Sequence, residues 1–122
     1  MNKIPSDEDF ARADSNDADR SKHLGTICNN FESRYRKLYS FQYVFLIYQR
    51  DVDFRAYVFF KTDDELQDSR RKALLPKMIE FFYAELERYG RGARPSLVID
   101  VEFDSDENVK RRFQGDYNAR LH

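Results

Sequence analysis

A chain of 122 residues is the size of one domain with one core, and folding at that length buries roughly two-thirds of the surface the unfolded chain exposes. Its 21 basic and 22 acidic residues leave a net charge of −1, which argues against the global positive field of a non-specific nucleic-acid binder. Cys28 is the only cysteine, so no intramolecular disulfide or multi-cysteine zinc site can form, and no apolar run has signal-peptide or membrane-spanning length. The expectation is a cytoplasmic protein with no membrane partner.

From Asn2 to Asp19 the chain is polar and acid-rich, with Asp7, Glu8, Asp9, Asp14, Asp17 and Asp19 set against Ile4 and Phe10 as its sizeable apolar residues. Too little apolar surface is present there to join a core, so residues 1–19 read as an acidic, loosely held arm and residues 20–122 as a single domain. Leu24, Ile27, Cys28, Phe31, Tyr35 and Leu38 then recur at helical spacing. That stripe predicts an amphipathic helix from about Ser15–Ala18 to Lys37.

Phe41 to Tyr48 and Phe54 to Lys61 are aromatic and β-branched runs separated by Gln49-Arg50-Asp51-Val52-Asp53, the pattern of a β-hairpin. In the first run Phe41, Tyr43, Phe45 and Ile47 alternate with Val44, Leu46 and Tyr48. Two apolar faces predict a central place in the sheet. Thr62 to Lys72 is a charged segment in which Thr62, Asp63 or Asp64 offers a helix cap. Pro76 opens or kinks the next helix, whose stripe of Leu75, Met78, Ile79, Phe82, Leu86 and Tyr89 ends at Gly90.

After the linker Arg91–Pro95, Ser96 to Phe103 alternates, with Leu97, Ile99, Val101 and Phe103 inward and Asp100 and Glu102 outward. Asp104 and Glu107 have capping-box spacing for a short helix from Ser105 to Phe113. Gly115 stops it, and Tyr117 to Leu121 reads as a returning edge strand. The fold expected is α+β: a small, largely antiparallel sheet with an N-terminal helix, a long central helix and a short C-terminal helix.

Catalytic material is thin. Only His23 and His122 are available as imidazole bases, Cys28 sits on an apolar stripe where a packed thiol is the commoner state, and no Gly-rich phosphate loop exists. No catalytic residue, cofactor or metal is assigned, and the chain is read as a non-enzyme. Asp100, Glu102 and Asp104, at i, i+2 and i+4, are the most enzyme-like feature, since clustered carboxylates can hold Mg²⁺ or act as an acid–base pair. No Lys falls in step with them before Lys110, so a solvated outer face ranks first, a partner-facing acidic patch second and a metal site last.

The basic groups Arg34-Arg36-Lys37, Arg70-Arg71-Lys72, Arg88-Arg91-Arg94 and Lys110-Arg111-Arg112 read as solvated helix faces in preference to a nucleic-acid surface. Tyr43, Tyr57 or Tyr83, if exposed, would suit an interface.

Phe103-Asp104-Ser105-Asp106-Glu107-Asn108-Val109, then Arg112-Phe113, Gly115-Asp116-Tyr117 and Arg120-Leu121, resembles small bacterial immunity proteins. These are the cytoplasmic antitoxin partners encoded beside polymorphic toxins, including those of contact-dependent growth inhibition. The likeness is close in this last third and elsewhere extends only to element order. It implies a protein that binds the C-terminal domain of a cognate toxin, a nuclease for instance, and occludes its active site. The residues carrying that contact do not come with the resemblance. Sign and position place them at Asp100, Glu102, Asp104 and Asp106, extended by the acids Asp7–Asp9. The alternatives are a metal-dependent hydrolase or nuclease using Asp100, Glu102 and Asp104, and a nucleic-acid-binding accessory protein.

Overall fold

The structure, a computed structural model, describes residues 20–122. The expected arm over residues 1–19, with Asp7–Asp9, and the expected helix start at Ser15–Ala18 lie outside the described residues. The elements in order are α1 (Leu24–Tyr35), β1 (Phe41–Arg50), β2 (Asp53–Phe60), α2 (Asp63–Arg71), α3 (Leu75–Arg88), β3 (Val98–Ser105), α4 (Asp106–Phe113) and α5 (Tyr117–Leu121). The class is α+β, as the pattern indicates. Among the described residues no helix is long and apolar enough to cross a membrane.

The sheet has the order β1-β2-β3, antiparallel between β1 and β2 and parallel between β2 and β3, so it is mixed. Parallel pairing follows from the connection, because the chain returns through α2 and α3 before β3 begins. β2 holds the centre, correcting the expectation for β1, which is an edge strand. The physical reason is in β2 itself. Ala56 to Phe60 are buried on both faces, which only a strand with neighbours on both sides and helices above and below can achieve.

A register shift between Phe41 and Tyr43 also turns Phe41 onto the face of Val44 and Tyr48, away from the Tyr43 face to which simple alternation assigns it.

One sheet face forms the main core: Phe54, Ala56, Val58 and Phe60 pack against Ile27 and Phe31 of α1 and Met78, Phe82 and Leu86 of α3. Phe31 and Phe82 stack with centroids 4.9 Å apart, joining the two helices. Cys28 packs at its border, and burial, seconded by Glu32, pushes its thiol up to about 12, which makes it an inert packed group. α1 is shorter than its apolar period suggests. His23 at φ 70° breaks it from the helical residues 20–21, and it stops at Tyr35, which leaves Leu38 57% exposed instead of packed.

Thr62 is the α2 cap, its Oγ1 accepting from the Glu65 N–H. α3 carries Pro76 in its first turn and closes on Gly90 at φ 73°. There the Arg91 N–H donates to the Leu86 carbonyl and the Gly90 N–H to the Glu87 carbonyl, a Schellman ending.

At the other end of the chain two expectations change. β3 runs on to Ser105, and Ser105 is the α4 cap in place of Asp104, accepting from the Asn108 N–H at 3.0 Å. Glu107 accepts from the Asp63 N–H at 2.7 Å and so caps α2, while Asp63 is bound in turn by the Ser105 hydroxyl and by Arg111. The segment Tyr117–Leu121 is a helix and not an edge strand, because the turn at Gln114 and Gly115, both at positive φ, delivers Asp116 as an N-cap to the Ala119 N–H.

Candidate functional site

The second face of the sheet is where the acids of β3 lie. Pairing sets up three rows across it: Tyr43–Phe59–Asp104, Phe45–Tyr57–Glu102 and Ile47–Arg55–Asp100. Helices α4 and α5 cover one end of this face. Tyr57, Phe59 and Val109 form a small second core there, edged by Phe45, Phe113, Tyr117 and Leu121. The Tyr117 ring centroid lies 4.9 Å from those of both Tyr43 and Phe59. Tyr57, a candidate interface residue by sequence, is therefore buried; Tyr83 is half-buried, and Tyr43 is exposed.

Under this cover the acidic row is not a solvated face. Arg120 of α5 lies over the Phe59 ring, and its Nε donates to Asp104 Oδ2 at 2.6 Å while Nη2 reaches Glu102 Oε1 at 3.3 Å. Asp104, buried, also accepts from the Ser105 N–H and from Asn108 Nδ2. Asp106, equally buried, accepts from the Tyr117 hydroxyl at 2.6 Å and pairs with Lys110 at 3.0 Å. The Tyr117 hydrogen bond, aided by Lys110, holds the Asp106 carboxyl below the usual carboxylate value. Asp104 thus fastens α4 and α5 to the sheet and Asp106 ties α5 to α4, and the outward position expected for them is corrected.

The far end of the face stays open. Asp100, 65% exposed, faces Arg55 across the strands with Nη2 to Oδ2 at 3.4 Å. Ile47, opposite Arg55 on β1, and Val98, two residues before Asp100 on β3, are exposed apolar side chains next to that pair, and Tyr43 is a third on the same face. Only Leu38, elsewhere, completes the set of exposed large hydrophobics among the described residues. Arg55 Nη1 donates to the Tyr57 hydroxyl at 3.4 Å, whereas its Nε is buried and has no hydrogen-bond partner among the described residues. Glu102, half-exposed, sits at the boundary between the covered and open ends.

Of the four acids singled out by sequence, Asp100 and Glu102 remain accessible on this surface. Sequence reasoning missed Ile47, Val98 and Arg55 as their neighbours. The signal was the parity of β3: Val98 falls on the outward side with Asp100 and Glu102, where a polar residue is the usual choice.

As a metal centre the row is poorly arranged. Asp100 turns an oxygen to Arg55, while Glu102 and Asp104 turn theirs to Arg120. No group of three His, Cys, Asp or Glu among the described residues converges as a metal set would. His23 stacks on Tyr89, with centroids 4.9 Å apart, as a helix-boundary residue does. The basic groups mostly close on local acids: Arg71 and Lys72 on Asp68, Arg88 on Glu85, Arg94 on Glu80 and Glu87, Lys110 on Asp106. What the open end can do chemically is bind. It presents apolar side chains around one weak, exposed ion pair on a sheet surface. No protein-family model, no curated protein and no solved structure matches the chain.

Proposed function

We propose that the protein is an immunity protein that neutralises a cognate bacterial toxin domain, a nuclease, by binding over its active site through the open end of the sheet's second face. The observation that carries this reading is the patch itself: Ile47 and Val98 lie exposed next to Asp100 and Arg55, on strands held in register by β2. Apolar centres rimmed by charge are how protein interfaces are built, and a preformed surface loses little entropy on binding. Asp100 and the free side of Glu102 give the patch acidic groups that complement the basic substrate groove of a nuclease. Specificity among toxins would then come from charge matching around a common apolar centre.

The test is co-expression with the toxin domain encoded beside the chain's own gene, followed by calorimetry of the purified pair. Asp100→Lys and Ile47→Asp, both at exposed positions, are expected to weaken binding about tenfold each, roughly 1.4 kcal/mol, and to lower protection of the host cell. Arg70→Glu with Arg71→Glu on α2 should leave both unchanged. Normal protection by the patch variants together with failure of the α2 variants would move the interface to the basic helix.

A further inference from the structure

On the other side of the molecule a groove of about 810 Å³ runs between the end of α1 and the first half of α3. Its floor is apolar, formed by Leu38, Leu74 and Phe81, and Leu38 is the most exposed large hydrophobic among the described residues. The groove exists because α1 stops at Tyr35 and the following turn carries Leu38 outward instead of onto the core.

Its rim is basic. Arg34 lines it from α1 and Lys77 from α3, and among the described residues neither has a carboxylate within ion-pair distance. The one acid lining the groove, Glu80, is already held by Arg94. Arg36 and Lys37, in the exposed turn after Arg34, add to the same positive field. What sets this end of α1 apart is that its cations, without a carboxylate partner among the described residues, border an exposed apolar floor.

We propose that this groove docks an acidic amphipathic segment of a partner protein. Its apolar side chains would lie on Leu38, Leu74 and Phe81 and its carboxylates against Arg34 and Lys77, a helix-in-groove arrangement. The sign of the rim selects an acidic segment over a basic one. The floor selects a peptide over a single-stranded nucleic acid, because its exposed contact is aliphatic, while the two rings that line it, Tyr35 and Phe81, are buried and half-buried and offer bases little face to stack on. This surface is independent of the toxin-binding reading, and either can fail alone.

The experiment uses the full chain and fluorescence anisotropy with two labelled helical peptides of equal length. Both carry a Leu stripe at i, i+3, i+4 and i+7 spacing, with Glu at the other positions in one and Lys in the other. The Glu peptide is expected to bind, with affinity falling about tenfold in Arg34→Glu/Lys77→Glu and in Leu38→Asp and falling further with added salt. The Lys peptide should not bind. Failure of the Glu peptide to bind, or equal binding of the two, overturns the proposal. Tighter binding of a single-stranded oligonucleotide, lost in Arg34→Glu/Lys77→Glu, makes the groove a nucleic-acid surface instead. Binding that emerges only when Asp7, Glu8 and Asp9 are all replaced by Lys assigns the groove to the chain's own N-terminal residues and also overturns it.

Discussion

Asp100 and Asp104 stand four residues apart on one strand, yet their truncation should cost very different amounts of stability. Asp104→Ala removes an acceptor that is 11% exposed and takes hydrogen bonds from the Ser105 N–H, Asn108 Nδ2 and Arg120 Nε. It leaves the Arg120 guanidinium, 16% exposed, with Glu102 as its remaining carboxylate. Losing one partner of a buried pair costs about 3–5 kcal/mol, and the surviving Glu102 contact discounts that to about 2–4 kcal/mol. Asp100→Ala breaks a pair whose side chains are 38% and 65% exposed, a class worth about 0.2–1 kcal/mol. In a domain of this size the Asp104 loss corresponds to a fall of roughly 10 °C in Tm, and the Asp100 loss to only a few degrees. Thermal melts by circular dichroism with matching urea titrations read both directly. Equal losses, or an Asp104→Ala melt within about 2 °C of the parent, would refute the division of the acidic row into a buried clamp and an open patch.

Phe82→Ala should cost about 3–5 kcal/mol, because the ring is fully buried and stacked on Phe31; an unchanged urea midpoint would contradict the packing of α1 on α3. Stability should fall as pH drops below about 3.8, since Asp63, Asp68 and Asp106 all have carboxyls held below that ordinary value, chiefly by hydrogen bonds from Ser105, Tyr39 and Tyr117 respectively. The sign follows from linkage: in that window the unfolded chain binds more protons than the native one, so the stabilisation is complete above the ordinary carboxylate value and lost on acidification. Tyr117→Phe removes the main cause for Asp106 and should flatten the acid limb of a stability–pH curve; a curve that steepens instead would contradict this assignment.

The fold was legible where a pattern has one physical cause. The α3 stripe, the Gly90 stop and the hairpin each follow from periodicity or cap chemistry that nothing distant overrides, whereas α4 keeps its place but not its expected cap, because Glu107 goes to the Asp63 N–H and Asp104 to Arg120. What stayed hidden depends on partners far away in sequence. β1 shows two apolar faces, but whether a strand is central is decided by which other strand pairs with it, and β2 meets both neighbours. The outward parity of Asp104 was correct as geometry; the sequence could not reveal that α5 returns to lay Arg120 over it. Reading Tyr117–Leu121 as a strand hid that return, and with it the difference between the covered and open ends of the face. The patch was half legible, because Val98, Asp100 and Glu102 share a parity, while Ile47 and Arg55 join them only through strand register.

The central proposal, that the open end of the sheet's second face is the contact surface for a toxin domain, is tested most directly by amide hydrogen exchange on the free protein and on its complex with the toxin domain it is proposed to neutralise. The account expects new protection at Phe45–Gln49 of β1 and Val98–Glu102 of β3, with α2 and the groove between α1 and α3 unchanged. Protection confined to α2, or to the Arg34–Leu38 turn and the start of α3, would contradict it.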